Sequence, residues 1–274
     1  MVSEELCCPW EQLFYEPALL DSASGDADSG ETVKYYCSIL KQGEIRVLDV
    51  GCGTGRLAIP LAAQGHEVYA IDSSSDMVSF FQEKLAHLDS ELQCRIHLHH
   101  LNIQSQFYDG SLDVAIAVDD FLTHFLDDSS LLSTLKNICY SLKPGGRFLT
   151  DLRGRSQQRI ATATQPFPKP MHFFGIVHQV PTPFGKRSAA MRSVESYDEN
   201  KRILTSTQIF EWILPDGTVE KTIYRTLRQR LHRLEQLAAA AEDVGLKLGL
   251  AHQRLNPLNE ASYEEGMSVE FYRV

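Results

Sequence analysis

Gly51, Gly53 and Gly55 stand two apart in the run Val47-Leu-Asp-Val-Gly-Cys-Gly-Thr-Gly-Arg56, and that spacing suits close contact with a ligand. Missing side chains permit tight turning and let a bound molecule approach the backbone. A second reactive position follows. Asp72 lies seventeen positions beyond Gly55, at the end of His66-Glu-Val-Tyr-Ala-Ile-Asp72, where a carboxylate can accept both hydroxyls of a ribose. Together the glycines and the acid point to a nucleotide-like ligand. The third group is Asp119-Asp-Phe-Leu-Thr-His124, which sets two carboxylates and an imidazole after an apolar run. These can position an acceptor or take a proton from it.

The elements that must hold these residues can be read from the apolar pattern. Val47, Leu48 and Val50 predict a strand buried on both faces. Arg56 to Gln64 predicts a helix with Pro60 in its first half and Gly65 as its stop. Residues 66–72 predict a second strand and Asp76 to about Leu88 a helix. Cys94 to Leu101 predicts a third strand, and Ser111 to Val118 a fourth, nearly all apolar and therefore central. A helix from Ser129 to Leu142 then leads through Lys143-Pro-Gly-Gly146 into a fifth strand, 147–152. Asp119, Asp120 and His124 thus fall at the carboxyl end of a central strand, beside the switch point of a doubly wound sheet. Asp127 and Asp128 are read instead as helix-starting acids. His97, His99 and His100 read as polar residues of a partly exposed strand, with no third metal ligand in view, so no metal is expected.

This strand, GxGxG loop, helix, strand and terminal acid, with the later LKPGG turn, resembles the class I S-adenosylmethionine-dependent methyltransferases. The dinucleotide fingerprint wants its third glycine where this chain has Arg56, which disfavours the alternative of a nicotinamide-dependent oxidoreductase. A non-catalytic cofactor-binding protein is the other alternative. The resemblance covers residues 30 to 152 and the C-terminal forty. It implies S-adenosylmethionine as cofactor, held by Asp49, Gly51, Cys52, Gly53, Gly55, Arg56, Asp72, Ser73 and Val118. It further implies adenine recognition by Asn102 with Ile103, and contact between Tyr15 and the methionine carboxylate. The implied reaction is methyl transfer to nitrogen or oxygen of a small molecule, with Asp119, Asp120 and His124 as the catalytic candidates. Glu195 and Glu211 are further candidate bases.

The segment beyond Arg153 differs in character. Pro166, Pro168, Pro170, Pro181 and Pro183 argue for a loop or lid over residues 154–187. Ser188 to Tyr197, Arg202 to Leu214 and Thr218 to Arg228 alternate at period two around Asp198-Glu-Asn-Lys201 and Pro215-Asp-Gly217, predicting a three-stranded antiparallel meander. Such insertions resemble those of amino-sugar and glycine N-methylating enzymes, and here the insertion is expected to cap the active site, form a dimer contact, or do both. Leu231 to Val244 predicts a helix, and Leu246 to Leu255 and Met267 to Tyr272 the last strands. The expected fold is α/β, a Rossmann-like doubly wound seven-stranded sheet with an inserted antiparallel β meander after the fifth strand. Its expected parts are a helical cap over 1–46, a cofactor-binding core of 47–153 and 231–274, and a lid and insertion over 154–230.

Composition narrows the partners. With 274 residues and a formal charge of −10, a nucleic-acid backbone is a poor match. No run approaches the about eighteen apolar residues of a membrane span, and the N-terminus lacks a basic region followed by an apolar one. Six cysteines without CxxC spacing point to a reduced, cytoplasmic protein. A small-molecule methyl acceptor is the expected partner, with a homodimer as a further option.

Overall fold

The computed structural model describes residues 28–40, 45–105, 110–167, 169–182 and 185–274. Tyr15, expected at the methionine carboxylate, lies outside them. The chain runs α1 (Asp28–Ile39), β1 (Arg46–Val50), α2 (Ala58–Ala63), β2 (Glu67–Asp72), α3 (Ser75–Ala86), α4 (Ser90–Arg95), β3 (Ile96–His100) and β4 (Leu112–Ala117). A 3-10 turn at Phe121–His124 leads to α5 (Asp128–Ser141) and β5 (Leu142–Arg153), then α6 (Gln157–Thr164). The inserted strands are β6 (Met171–Thr182), β7 (Gly185–Asp198), β8 (Ile203–Ile213) and β9 (Val219–Arg230). The chain closes with α7 (Leu234–Glu242), β10 (Leu246–Gln253), β11 (Asn256–Glu260) and β12 (Gly266–Arg273).

Among the described residues the main sheet has eight strands in the order β11-β10-β12-β5-β4-β1-β2-β3, one more than expected. β1 pairs in parallel with both β2 and β4, while β12 enters antiparallel beside β5. The extra strand, β11, lies at the edge and pairs briefly with β10. The order reverses between β1 and β4, so a crevice opens at their carboxyl ends. Alternation along β1 accounts for the two helical layers. Leu48 and Val50 pack on one face with Leu135, Ile138 and Phe148, whereas Val47 packs on the other with Leu61, Val68 and Phe81. Each such side chain withdrawn from water contributes about 1.5 to 3 kcal/mol.

The insertion differs from its sequence reading in two elements, the first being residues 157–164, expected within a loop, which form the helix α6. Residues 171–182, expected as part of a loop, form β6, so the antiparallel sheet has four strands in the order β6-β7-β8-β9. Pro181 is tolerated because β6 is an edge strand, where a missing N–H need not interrupt a ladder. β9, at the other edge, lies against the Phe121–His124 turn, and there Gln229 Nε2 donates to Thr123 Oγ1 at 2.9 Å. Smaller differences concern boundaries. α2 starts at Ala58 rather than Arg56, and Cys94 belongs to α4 rather than to β3.

Candidate active site

All three loop glycines have left-handed backbones, with φ of 71° at Gly51, 54° at Gly53 and 83° at Gly55, but they serve different ends. A Cβ on Gly51 would meet the Phe121 ring at 2.6 Å and one on Gly55 the Phe81 ring at 2.2 Å, whereas a Cβ on Gly53 would enter open space. Two glycines therefore permit packing, and the third leaves its backbone open to a cavity of about 460 Å³ at the carboxyl ends of β1, β2 and β4. That volume falls in the range typical of small-molecule sites.

Asp72 closes one side of this cavity. Gly53 N–H donates to Asp72 Oδ2 at 2.9 Å and Ser74 N–H to Oδ1 at 2.8 Å, so two backbone donors fix the carboxylate and leave each oxygen able to accept again. The following helix, α3, is capped by Ser74, whose Oγ accepts from Met77 N–H. Asp127 and Asp128 do start a helix as read. Ser130 N–H donates to Asp127 at 2.8 Å, and Asp128 pairs with Arg230.

Asp49 lines the cavity floor with only 2% of its surface exposed, and its Oδ2 has no hydrogen-bond partner. Loss of hydration raises its pKa to about 7, against the pull of Arg56. A buried carboxylate oxygen without a donor fits a cationic ligand group, because an ammonium would supply the missing proton and charge. Gly51, Cys52, Arg56, Ser73, Asn102, Ile103 and Val118 also line this cavity, as do Asp119 and His124. Asn102 Oδ1 already accepts from Gln104 N–H at 2.9 Å, which fixes the side chain at the rim. Of the described residues with expected cofactor roles, only Gly55 is missing from the lining; it packs beneath the loop.

The strand-end acids are not free carboxylates. Asp119 and Asp120 both adopt left-handed backbones, φ 58° and 64°, a conformation that costs a non-glycine residue on the order of 1 kcal/mol or more. Arginines hold them there. Asp119 pairs with Arg56, with Arg153 at 3.0 Å and with Arg254 at 3.3 Å. Asp120 accepts from Arg153 N–H at 2.5 Å and from Arg155 Nη2 at 2.6 Å, and these contacts lower its pKa against the cost of burial. Asp120 faces away from the large cavity into a smaller one. Behind both acids lies Asp151, fully buried, which accepts from Asp120 N–H and pairs with Arg254 Nε at 2.9 Å; burial raises its pKa. His124 stands exposed at the cavity mouth, yet its surroundings cost it enough hydration to lower its pKa, so it is neutral at pH 7.

Sequence reasoning missed several of these groups. Arg153, Arg155 and Arg254 are individually ordinary residues, and only the fold brings them to the strand end. Arg225 of β9 reaches the large cavity from the insertion, and Met77, Leu101 and Phe121 supply apolar walls. Alternation along β9 was the available signal, since it puts Ile223, Arg225 and Gln229 on one face. Glu195 and Glu211 do not line the cavity. Arg159 clamps Glu195 through both oxygens, and Arg192 pairs with Glu211. His97 stacks on Tyr69 and meets Glu67, and the described residues contain no cluster of metal-binding side chains.

Comparison with known proteins agrees with this fold. Residues 47–146 match the model of a methyltransferase domain, in keeping with the family that the motifs resemble. The nicotinamide alternative is not favoured. A putative methyltransferase of Bacillus subtilis, YqeM, is 35% identical over 107 residues, 39% of this chain and 42% of that protein. A ubiquinone biosynthesis O-methyltransferase of Xanthomonas axonopodis is 29% identical over 131 residues, 48% of this chain and 52% of the relative. The match thus spans about half the length of these relatives. Two solved structures share the fold over nearly the whole chain. The CcbJ methyltransferase of Streptomyces caelestis superposes with a TM-score of 0.72 at 20% identity, covering 90% of each chain. CalS10, an amino pentose methyltransferase from Micromonospora echinaspora, gives 0.68 at 14% identity, covering 99% of this chain and 100% of its own.

Proposed function

We propose that the chain transfers a methyl group from S-adenosylmethionine to a nitrogen or oxygen atom of a small molecule. The observation that carries this reading is the cavity where the open backbone of Gly53, the backbone-fixed carboxylate of Asp72 and the unpartnered Asp49 oxygen converge. The bound cofactor supplies a methyl group activated by a sulfonium. In this reading Asp72 takes the ribose hydroxyls, Asn102 and the Ile103 backbone take the adenine edge, and Asp49 meets the ammonium. Cys52, Ser73 and Val118 form walls. Tyr15 remains assigned to the methionine carboxylate.

Methyl transfer is an in-line displacement, in which aligned proximity can lower the barrier by about 7 to 11 kcal/mol. The protein's main task is therefore to align the acceptor and exclude water. Residues 154–230 act as the lid over a core of 47–153 and 231–274, with 1–46 as a cap. Contact between β9 and the Phe121–His124 turn supports that division. His124, neutral at pH 7, is the group best suited to accept an acceptor proton, while Asp119 and Asp120 shape the strand end through their arginines. A cytoplasmic setting is supported by the cysteines among the described residues, Cys37, Cys52, Cys94 and Cys139, all of them free thiols. No helix among the described residues is long and apolar enough to cross a membrane. A homodimer contact remains a second use for the insertion.

Release of S-adenosylhomocysteine, followed with a panel of amines, amino sugars and hydroxylated rings, tests the reading. Turnover with at least one panel member supports it; cofactor binding with no turnover across the panel favours a binding protein instead.

A further inference from the structure

Two arginines line the large cavity, Arg56 and Arg225. Arg56 pairs with Asp119 at the end of β4. Arg225 belongs to β9, and among the described residues it is the sole part of the insertion that reaches the lining. Strand geometry sets its direction. Along β9 Ile223 and Gln229 are buried whereas Tyr224 is 64% exposed, so alternation puts Arg225 on the side that faces the core. Gln229 donates to Thr123, which holds β9 over the Phe121–His124 turn. Loss of hydration, and after it the positive charge of Arg225, lower the pKa of His124, so the guanidinium lies near the imidazole at the cavity mouth.

A guanidinium presents five N–H donors in a planar fork, so a contact with the protein leaves others for a ligand. That fork matches a carboxylate, whose two oxygens accept in parallel. The acids of the strand end do not oppose an anion here. Arg56, Arg153 and Arg254 balance Asp119, and Arg155 balances Asp120. Beside the cation stands an aromatic wall. Phe121 and Phe125 line the same cavity, their rings edge to face with centroids 5.4 Å apart, a surface suited to a further planar ring. We propose that the methyl acceptor is an aromatic carboxylic acid, its ring against Phe121 and Phe125, its carboxylate held by Arg225, and its amine or hydroxyl turned toward His124. The proposal rests on the methyl-transfer reading and names the substrate class of that site.

The full chain loaded with S-adenosylhomocysteine is titrated calorimetrically with ortho, meta and para aminobenzoate, and with the matching aminobenzamides as neutral controls. At least one aminobenzoate should bind saturably, and at least about tenfold tighter than its amide, because only the acid can form the charged pair. Arg225→Gln keeps much of the side chain's reach and removes its charge. It should weaken that acid by about tenfold or more while the amide and S-adenosylhomocysteine stay within about twofold of their original affinities. Arg225→Lys keeps the charge without the fork and should recover part of the loss. Three results, each with S-adenosylhomocysteine still bound, would overturn the proposal and leave the methyl-transfer reading in place: no saturable binding of any acid, equal binding of acid and amide, or undiminished acid binding in folded Arg225→Gln. Failure of S-adenosylhomocysteine itself to bind would overturn that reading and the proposal with it.

Discussion

Asp49 couples the cofactor site to stability. Its folded pKa of about 7 lies above the ordinary carboxylate value, so between about pH 4 and 7 the folded chain holds a proton that the unfolded chain has released. Stability without cofactor therefore falls as pH rises through that window, by at most on the order of 4 kcal/mol from this group, and flattens above it. Denaturant titrations at pH 5 and pH 8 should show the loss, and Asp49→Asn should remove most of it while weakening the cofactor. An identical pH slope in the variant would refute the assignment. Asp72→Ala deletes charge-assisted bonds worth about 1.5 to 3 kcal/mol each, and Gly53→Val puts a side chain into the open space above the loop. Both variants should fold and both should bind S-adenosylmethionine at least about tenfold more weakly in calorimetry; full affinity in either folded variant counts against this site. His124→Ala should lower turnover and remove one limb of the pH–rate profile; a uniform drop would mean positioning rather than proton removal. These residues were legible because loop glycines and a strand-end acid lie close in sequence. Arg153, Arg155 and Arg254 were not, because Arg254 reaches Asp119 and Asp151 from the turn between β10 and β11, 103 or more residues further along the chain.

At the scale of elements, polar contacts help to join the insertion to the core. Gln229 both donates to Thr123 Oγ1 and accepts from Arg155. Gln229→Leu leaves these partners short of a bond, and should cost about 1 to 3 kcal/mol in denaturant stability. It should also raise the acceptor KM more than the cofactor Kd, since β9 lies over the turn at the acceptor side. Equal effects on both constants would mean that β9 serves the core as a whole. Period-two alternation made β7, β8 and β9 readable, and helical periodicity did the same for α3 and α5. β6 was hidden because prolines argue against a strand in isolation, and whether a strand will lie at a sheet edge is a property of the assembled sheet. β11 pairs with β10 at only a few positions, too short a pattern to register in sequence.

For the whole molecule, order of strands and place of the crevice followed from the βα units, whose parallel neighbours leave little topological choice. The central claim is that this crevice holds S-adenosylmethionine. Ligand present at about a hundred times its Kd should add about 2.7 kcal/mol to stability, and protection should fade in Asp72→Ala. Calorimetric titration of the intact chain with S-adenosylhomocysteine, run beside NAD, is the most direct test. One saturable site per chain for S-adenosylhomocysteine, lost or weakened at least about tenfold by Asp72→Ala and with no heat from NAD, is the predicted result. Binding of NAD in its place, or S-adenosylhomocysteine affinity untouched by Asp72→Ala, would contradict the account.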